Sequence, residues 1–96
     1  MTVLIDDPIW PAHGRLWSHL VSDESLDELH AFAAVNGIHR RAFDLDHYDV
    51  PAEALARLIA SGAQHVGGKE LTRRLIASGL RVRARDRVGG LADRGR

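Results

Sequence analysis

The stretch LWSHLVSDESLDELHAFAAVNG, residues 16–37, decides the fold class. Residues 16–21 are apolar except for Ser18 and His19 and read as a strand. Ser25 and Glu28 then stand at capping-box spacing, and Leu26, Leu29, Phe32 and Ala33 share one helical face. Asn36-Gly37 supplies the stop, and residues 40–43 read as a further short strand. A strand–helix–strand passage of this kind is expected to be parallel and right-handed.

Working outward, Val3-Leu4-Ile5 is an apolar run that ends at Asp6-Asp7-Pro8 and predicts a first strand. Residues 8–15, with two prolines and a glycine, read as a loop. That link is too short for a comfortable parallel crossover, so the first two strands should be antiparallel. Pro51 suits the first turn of a second helix with Leu55, Leu58 and Ile59 as its apolar stripe. Residues 64–66 predict a short strand, and residues 69–78 a third helix with Leu71, Leu75 and Ile76 inward. The order β-β-α-β-α-β-α predicts an α/β fold: a small mixed sheet of about four strands with three helices. Residues 1–80 form the expected single domain, and residues 81–96 a basic tail.

Composition narrows the function classes. The chain of 96 residues is 45% hydrophobic and 27% charged, as expected for one soluble globular domain. No apolar run approaches the roughly 20 residues that span a bilayer. The start lacks a basic region and turns acidic at once, which argues against a signal peptide. With no cysteine, disulfide scaffolds and thiolate zinc sites are excluded, and a cytoplasmic location is expected.

The net charge of zero conceals two unlike halves: residues 1–68 carry a net −6 and all six histidines, residues 69–96 a net +6. Such a tail can fold back on the acidic body, dock on a second subunit, or bind nucleic acid. The last is not favoured, because no stacking aromatics lie near it.

The polar residues collect at strand ends, where α/β sheets present functional groups. Asp6 ends the first strand, Asp23 follows the second, and the DHYD stretch (Asp46, His47, Tyr48, Asp49) follows the third. Parallel second and third strands would put Asp23 beside DHYD, and an antiparallel first strand would put Asp6 at the other edge with His13 and His19. Mixed imidazole and carboxylate groups suit zinc, manganese, iron or nickel, or work without metal as a His–Asp base. His19, His47 and Asp49 are the candidate metal ligands. Gly14 lets backbone approach a ligand, and Arg15 is placed to hold an anion. The plainer alternatives stand beside these: DHYD as a polar loop whose Asp49 caps the next helix, His19 as a buried, hydrogen-bonded side chain, and His13-Gly14 as a turn.

The segments VLIDDPIWPAHGRLWSHLVSD (3–23), DELHAFA (27–33), HYDV (47–50) and LTRRLIASGL (71–80) together resemble domain of unknown function 4031, a family of small bacterial and phage proteins. The resemblance spans residues 2–80. It implies a cytoplasmic single-domain protein of unknown activity and carries no catalytic residues to transfer. The residues themselves suggest a small metal-dependent or His/Asp-based hydrolase acting on a phosphate-containing substrate. Asp6, His19, Asp23, His47, Tyr48 and Asp49 are its candidate catalytic groups, and a divalent metal its candidate cofactor. The rival reading is a non-catalytic, homodimeric binding module whose tail docks on acidic protein or nucleic acid.

Overall fold

In the computed structural model, residues 2–82 are described. Strand β1 (Val3–Ile5) is followed by β2 (Trp10–Ala12), β3 (Arg15–Ser22) and helix α1 (Leu26–Val35). Then come β4 (Phe43–Asp44), β5 (His47–Pro51), α2 (Leu55–Ala60), β6 (Gln64–His65) and α3 (Gly68–Ser78). Ser25 caps α1 by accepting from the Glu28 backbone N–H at 3.1 Å. The expected reciprocal bond is redirected: the Glu28 carboxylate accepts instead from the Ser22 hydroxyl at 2.5 Å.

The mixed α/β class and the three helices are as expected, but the sheet has six strands, in the order β4-β5-β3-β1-β6 with β2 also on β3. β1 and β3 pair antiparallel, as the short link between them requires. β2 and β1 share one edge of β3, pairing with its first and second halves, while β5 pairs along the opposite edge.

Two readings are corrected here. The segment 8–15 is not simply a loop: His13 and Gly14, at φ +52° and +74°, make the tight turn that brings β2 onto β3. Such two-residue hairpins need positive φ at both central positions. The strand after α1 does run parallel to β3, since both oppose β5, but it does not lie beside it. A 3-10 turn over Arg40–Ala42 shortens it to two residues, and β5 occupies the place between. The chain reverses from β4 into β5 at Leu45, which adopts φ +63°.

Alternation along the strands divides the buried residues between two faces. On one, Val3, Ile5, Leu20, Tyr48 and Val50 pack with Leu29 and Ala33 of α1 and with Leu58 of α2. On the other, Leu4 and Val21 pack under Leu71 and Leu75 of α3. The α3 face therefore has the smaller core, and the remainder of that face is where His19, His47 and Asp49 project.

Leu20 is fully buried at the centre of the larger core, whereas Val35 is 82% exposed. Leu20→Ala should lower unfolding free energy by about 2–5 kcal/mol, and Val35→Ala by less than about 0.5 kcal/mol. Urea denaturation followed by circular dichroism compares the two.

Candidate metal centre

Asp6, just past the end of β1, is buried to 1% exposure, so its carboxylate must find donors inside the protein. It finds three. The backbone N–H of His19 donates to Oδ1 at 2.6 Å, the His19 ring meets Oδ2 through Nδ1 at 2.9 Å, and the Trp10 indole N–H reaches Oδ2 at 3.3 Å. A carboxylate only accepts, so Nδ1 of His19 carries the proton and Nε2 is left with its lone pair.

A second histidine is held in the same way. Asp46, fully buried before β5, contacts Nδ1 of His47 at 2.8 Å. Nε2 of His47 then stands 3.2 Å from Oδ1 of Asp49. Register brings the two histidines together: His19 on β3 is opposite Asp49 on β5, and His47 lies two residues before Asp49 on the same face. The imidazole rings meet edge to face at 5.0 Å. One ligand atom from each of His19, His47 and Asp49 lies within 4.8 Å of the other two.

Charge is concentrated here. Burial disfavours the imidazolium of His47, but its bonds to Asp46 and Asp49 and their charges outweigh that penalty and raise its pKa to about 9. For Asp49, burial pulls upward, yet the bond to His47 and the positive charge of that imidazolium hold its carboxyl below the ordinary value. A cleft of about 240 Å³ opens over the pair of histidines, with Trp10, Leu71, Thr72 and Arg81 among its walls.

The first strand therefore does not carry Asp6 away from DHYD. β5 folds back antiparallel, and the two sites expected at opposite edges become one. Asp23 is the residue left outside: it accepts from the Thr2 backbone at 3.0 Å and from Arg74 at 2.7 Å, near the far end of β3. There burial raises the pKa of Asp23, but Arg74 and the Thr2 N–H bring it below the usual value. Tyr48 points to the opposite face of the sheet, where its hydroxyl meets Nδ1 of His30 at 2.7 Å. Gly14 occupies the hairpin turn, and Arg15 is paired with Glu53. Asp49 does not cap a helix, because DHYD runs directly into β5.

Sequence reasoning passed over Asp46 as a site residue and gave Trp10 no role beside the histidines. The signal for Asp46 was its place next to a histidine whose other nitrogen faces Asp49, which becomes visible only once residues 47–51 are read as a strand. Of the basic tail, Arg81 and Val82 are described. The Val82 backbone N–H donates to Oδ2 of Asp46 at 2.8 Å, and the Arg81 guanidinium stands 3.8 Å from the same oxygen. The remainder of the tail and its expected role lie outside the described residues.

Residues 3–78 match the family model described as protein of unknown function (DUF4031), which covers most of the chain, and the chain belongs to that family. No curated protein and no solved structure matches it.

A folded-state pKa raised above 6.5 stabilises the fold fully below that pH, and the contribution is lost as pH rises through the folded value. The metal-free protein should accordingly lose stability between pH 6.5 and about 9 as the His47 imidazolium gives up its proton. Asp46→Asn should move that loss to lower pH. Ring-proton NMR titration together with urea midpoints across this range reads both.

Proposed function

We propose that this member of the DUF4031 family is a small divalent-metal-dependent hydrolase acting on a phosphate-containing substrate. One observation carries the reading: two imidazoles and a carboxylate converge within 4.8 Å, and each imidazole is fixed from behind by a buried carboxylate. That backing arrangement is how proteins set the tautomer and raise the basicity of metal-ligating histidines. The donor set suits zinc, manganese, iron or nickel.

In this reading His19 and His47 bind through Nε2 and Asp49 through a carboxylate oxygen. These three residues would hold a divalent ion, which would supply Lewis-acid chemistry toward a phosphoryl oxygen and a more acidic water. Asp6 and Asp46 are positioning residues. Asp49, with its side chain 44% exposed, also keeps contact with solvent. Arg81, in the wall of the cleft, takes the anion-holding role, since Arg15 is paired with Glu53 and does not line that cleft. The proposal leaves out Asp23 and Tyr48, whose polar atoms are engaged elsewhere. No helix among the described residues is long and apolar enough to cross a membrane, which accords with the cytoplasmic location included in the proposal.

The second reading, a homodimeric binding module, draws on a different surface. Ile9 and Ile76 are 62% and 59% exposed and border a shallow groove with Trp10, Lys69 and Arg73. Exposed apolar patches of this kind mark partner surfaces. Sedimentation velocity should then show a dimer that Ile76→Glu dissociates; a wild-type monomer at every concentration removes this reading.

For the hydrolase, the protein purified without a histidine tag should carry one equivalent of metal by elemental analysis. His19→Ala and His47→Ala should each lose it, and Asp6→Asn should weaken it by about 10- to 100-fold. The absence of bound metal, with no rise in Tm on adding zinc, manganese or nickel, would sink the proposal. A metal-loaded protein justifies assays on phosphate esters.

A further inference from the structure

We infer that the cleft beside the two tryptophans is a pocket for the ring of a nucleotide-like substrate, whose phosphate then reaches the His19–His47–Asp49 cluster. The inference rests on the proposed function for its phosphate end and on separate residues for its ring end.

The cleft is open to solvent, has a volume of about 350 Å³, and is lined by Trp10, Pro11, Trp17, Arg41, Asp44 and Asp49 among others. That volume lies at the lower end of the roughly 300–1,000 Å³ of small-molecule sites and suits one ring with a sugar. Trp10 and Trp17 are directly opposite each other across the β2–β3 pair, so both side chains leave the same face of the sheet. Trp17 precedes His19 by two residues, which puts this aromatic wall on the face that bears the cluster. The Trp10 ring is 4.9 Å from that of His19.

The polar edges of both indoles are already committed. The Trp10 N–H donates to Asp6, and the Trp17 N–H donates to the Ala12 carbonyl at 2.9 Å. One face of Trp17 is covered by the Arg15 guanidinium at 5.5 Å, so what the indoles offer the cleft is the remaining π surface, on which a flat heterocycle can stack. Asp49 belongs both to the cleft and to the cluster, so the pocket borders the proposed reacting centre.

The remaining groups narrow the ligand. Asp44 repels a phosphate at its end of the cleft, so the phosphate belongs toward the cluster, where the ion of the proposed function would neutralise Asp49. Asp44 can accept from ring amines or sugar hydroxyls. The guanidinium of Arg41 forms no ion pair among the described residues and is available to stack on the ring. A flat ring, N–H or O–H donors and a phosphate together describe a nucleotide better than a plain aryl phosphate or a sugar phosphate.

Isothermal calorimetry on the full chain, first with chelator and then with metal, tests the assignment using adenosine, adenosine monophosphate and ribose 5-phosphate. Adenosine should bind the metal-free protein and ribose 5-phosphate should not. Trp17→Leu should weaken adenosine by about tenfold or more, while Trp17→Phe, which keeps a stacking face, should stay near wild type. Arg41→Gln, an exposed change that does not touch the fold, should weaken adenosine and the monophosphate alike.

No adenosine binding, or equal binding to wild type and Trp17→Leu, overturns the pocket. The two proposals fail separately. Metal and ester hydrolysis with no preference for ring-bearing substrates removes the pocket and spares the hydrolase. Ring-dependent binding to a chain that never takes up metal does the reverse.

Discussion

A carboxylate cannot be buried without donors, and the burial of Asp6 organises this molecule. Its two oxygens take one backbone N–H and one ring nitrogen from His19 and one indole N–H from Trp10. Those three bonds tie the end of β1 to the middle of β3 and fix the loop that enters β2. They also decide the chemistry of His19, because a proton held at Nδ1 leaves Nε2 as the only nitrogen that can act. A structural requirement at one residue thus becomes a chemical specification at its neighbour.

Asp46 repeats the arrangement from the other side of β3, and the two halves meet because β5 runs antiparallel. The result is a pair of oriented imidazoles on the face of the sheet that α3 leaves partly uncovered. The other face needs both α1 and α2 to cover it and holds most of the core. Stability and chemistry are divided between faces of one sheet, so the polar cluster does not interrupt the larger apolar core.

Much of this was legible in the sequence. The cap at Ser25, the stripe of Leu26, Leu29 and Ala33, and the antiparallel β1–β3 pair follow from local patterns, as do the segments that become α2 and α3. His19, His47 and Asp49 were legible as ligand types, and Asp6 as a neighbour of His19. What could not be read was β5. In HYDVP the polar residues occupy every other position, and without the sheet in view that alternation resembles a polar loop leading to a proline. Missing β5 also misplaced Asp23, which was grouped with DHYD on the assumption of adjacent parallel strands. His13-Gly14 was legible as a turn, but β2 before it was not, because two prolines in residues 8–11 read as loop, and the turn at Leu45 escaped because it holds no glycine.

The alternation in β5 also constrains how the chain can go wrong. Period-two geometry means that a slip of one residue against β3 would exchange the two faces of the strand. Tyr48 and Val50 would turn outward, and His47 and Asp49 would enter the apolar layer beneath α1 and α2. Desolvating those groups away from Asp46 would be costly, while the core would lose two of its central side chains. The polar cluster and the core therefore enforce the same alignment from opposite sides. A five-residue strand with an edge to find among several gains from them a single admissible position, whatever role the cluster plays.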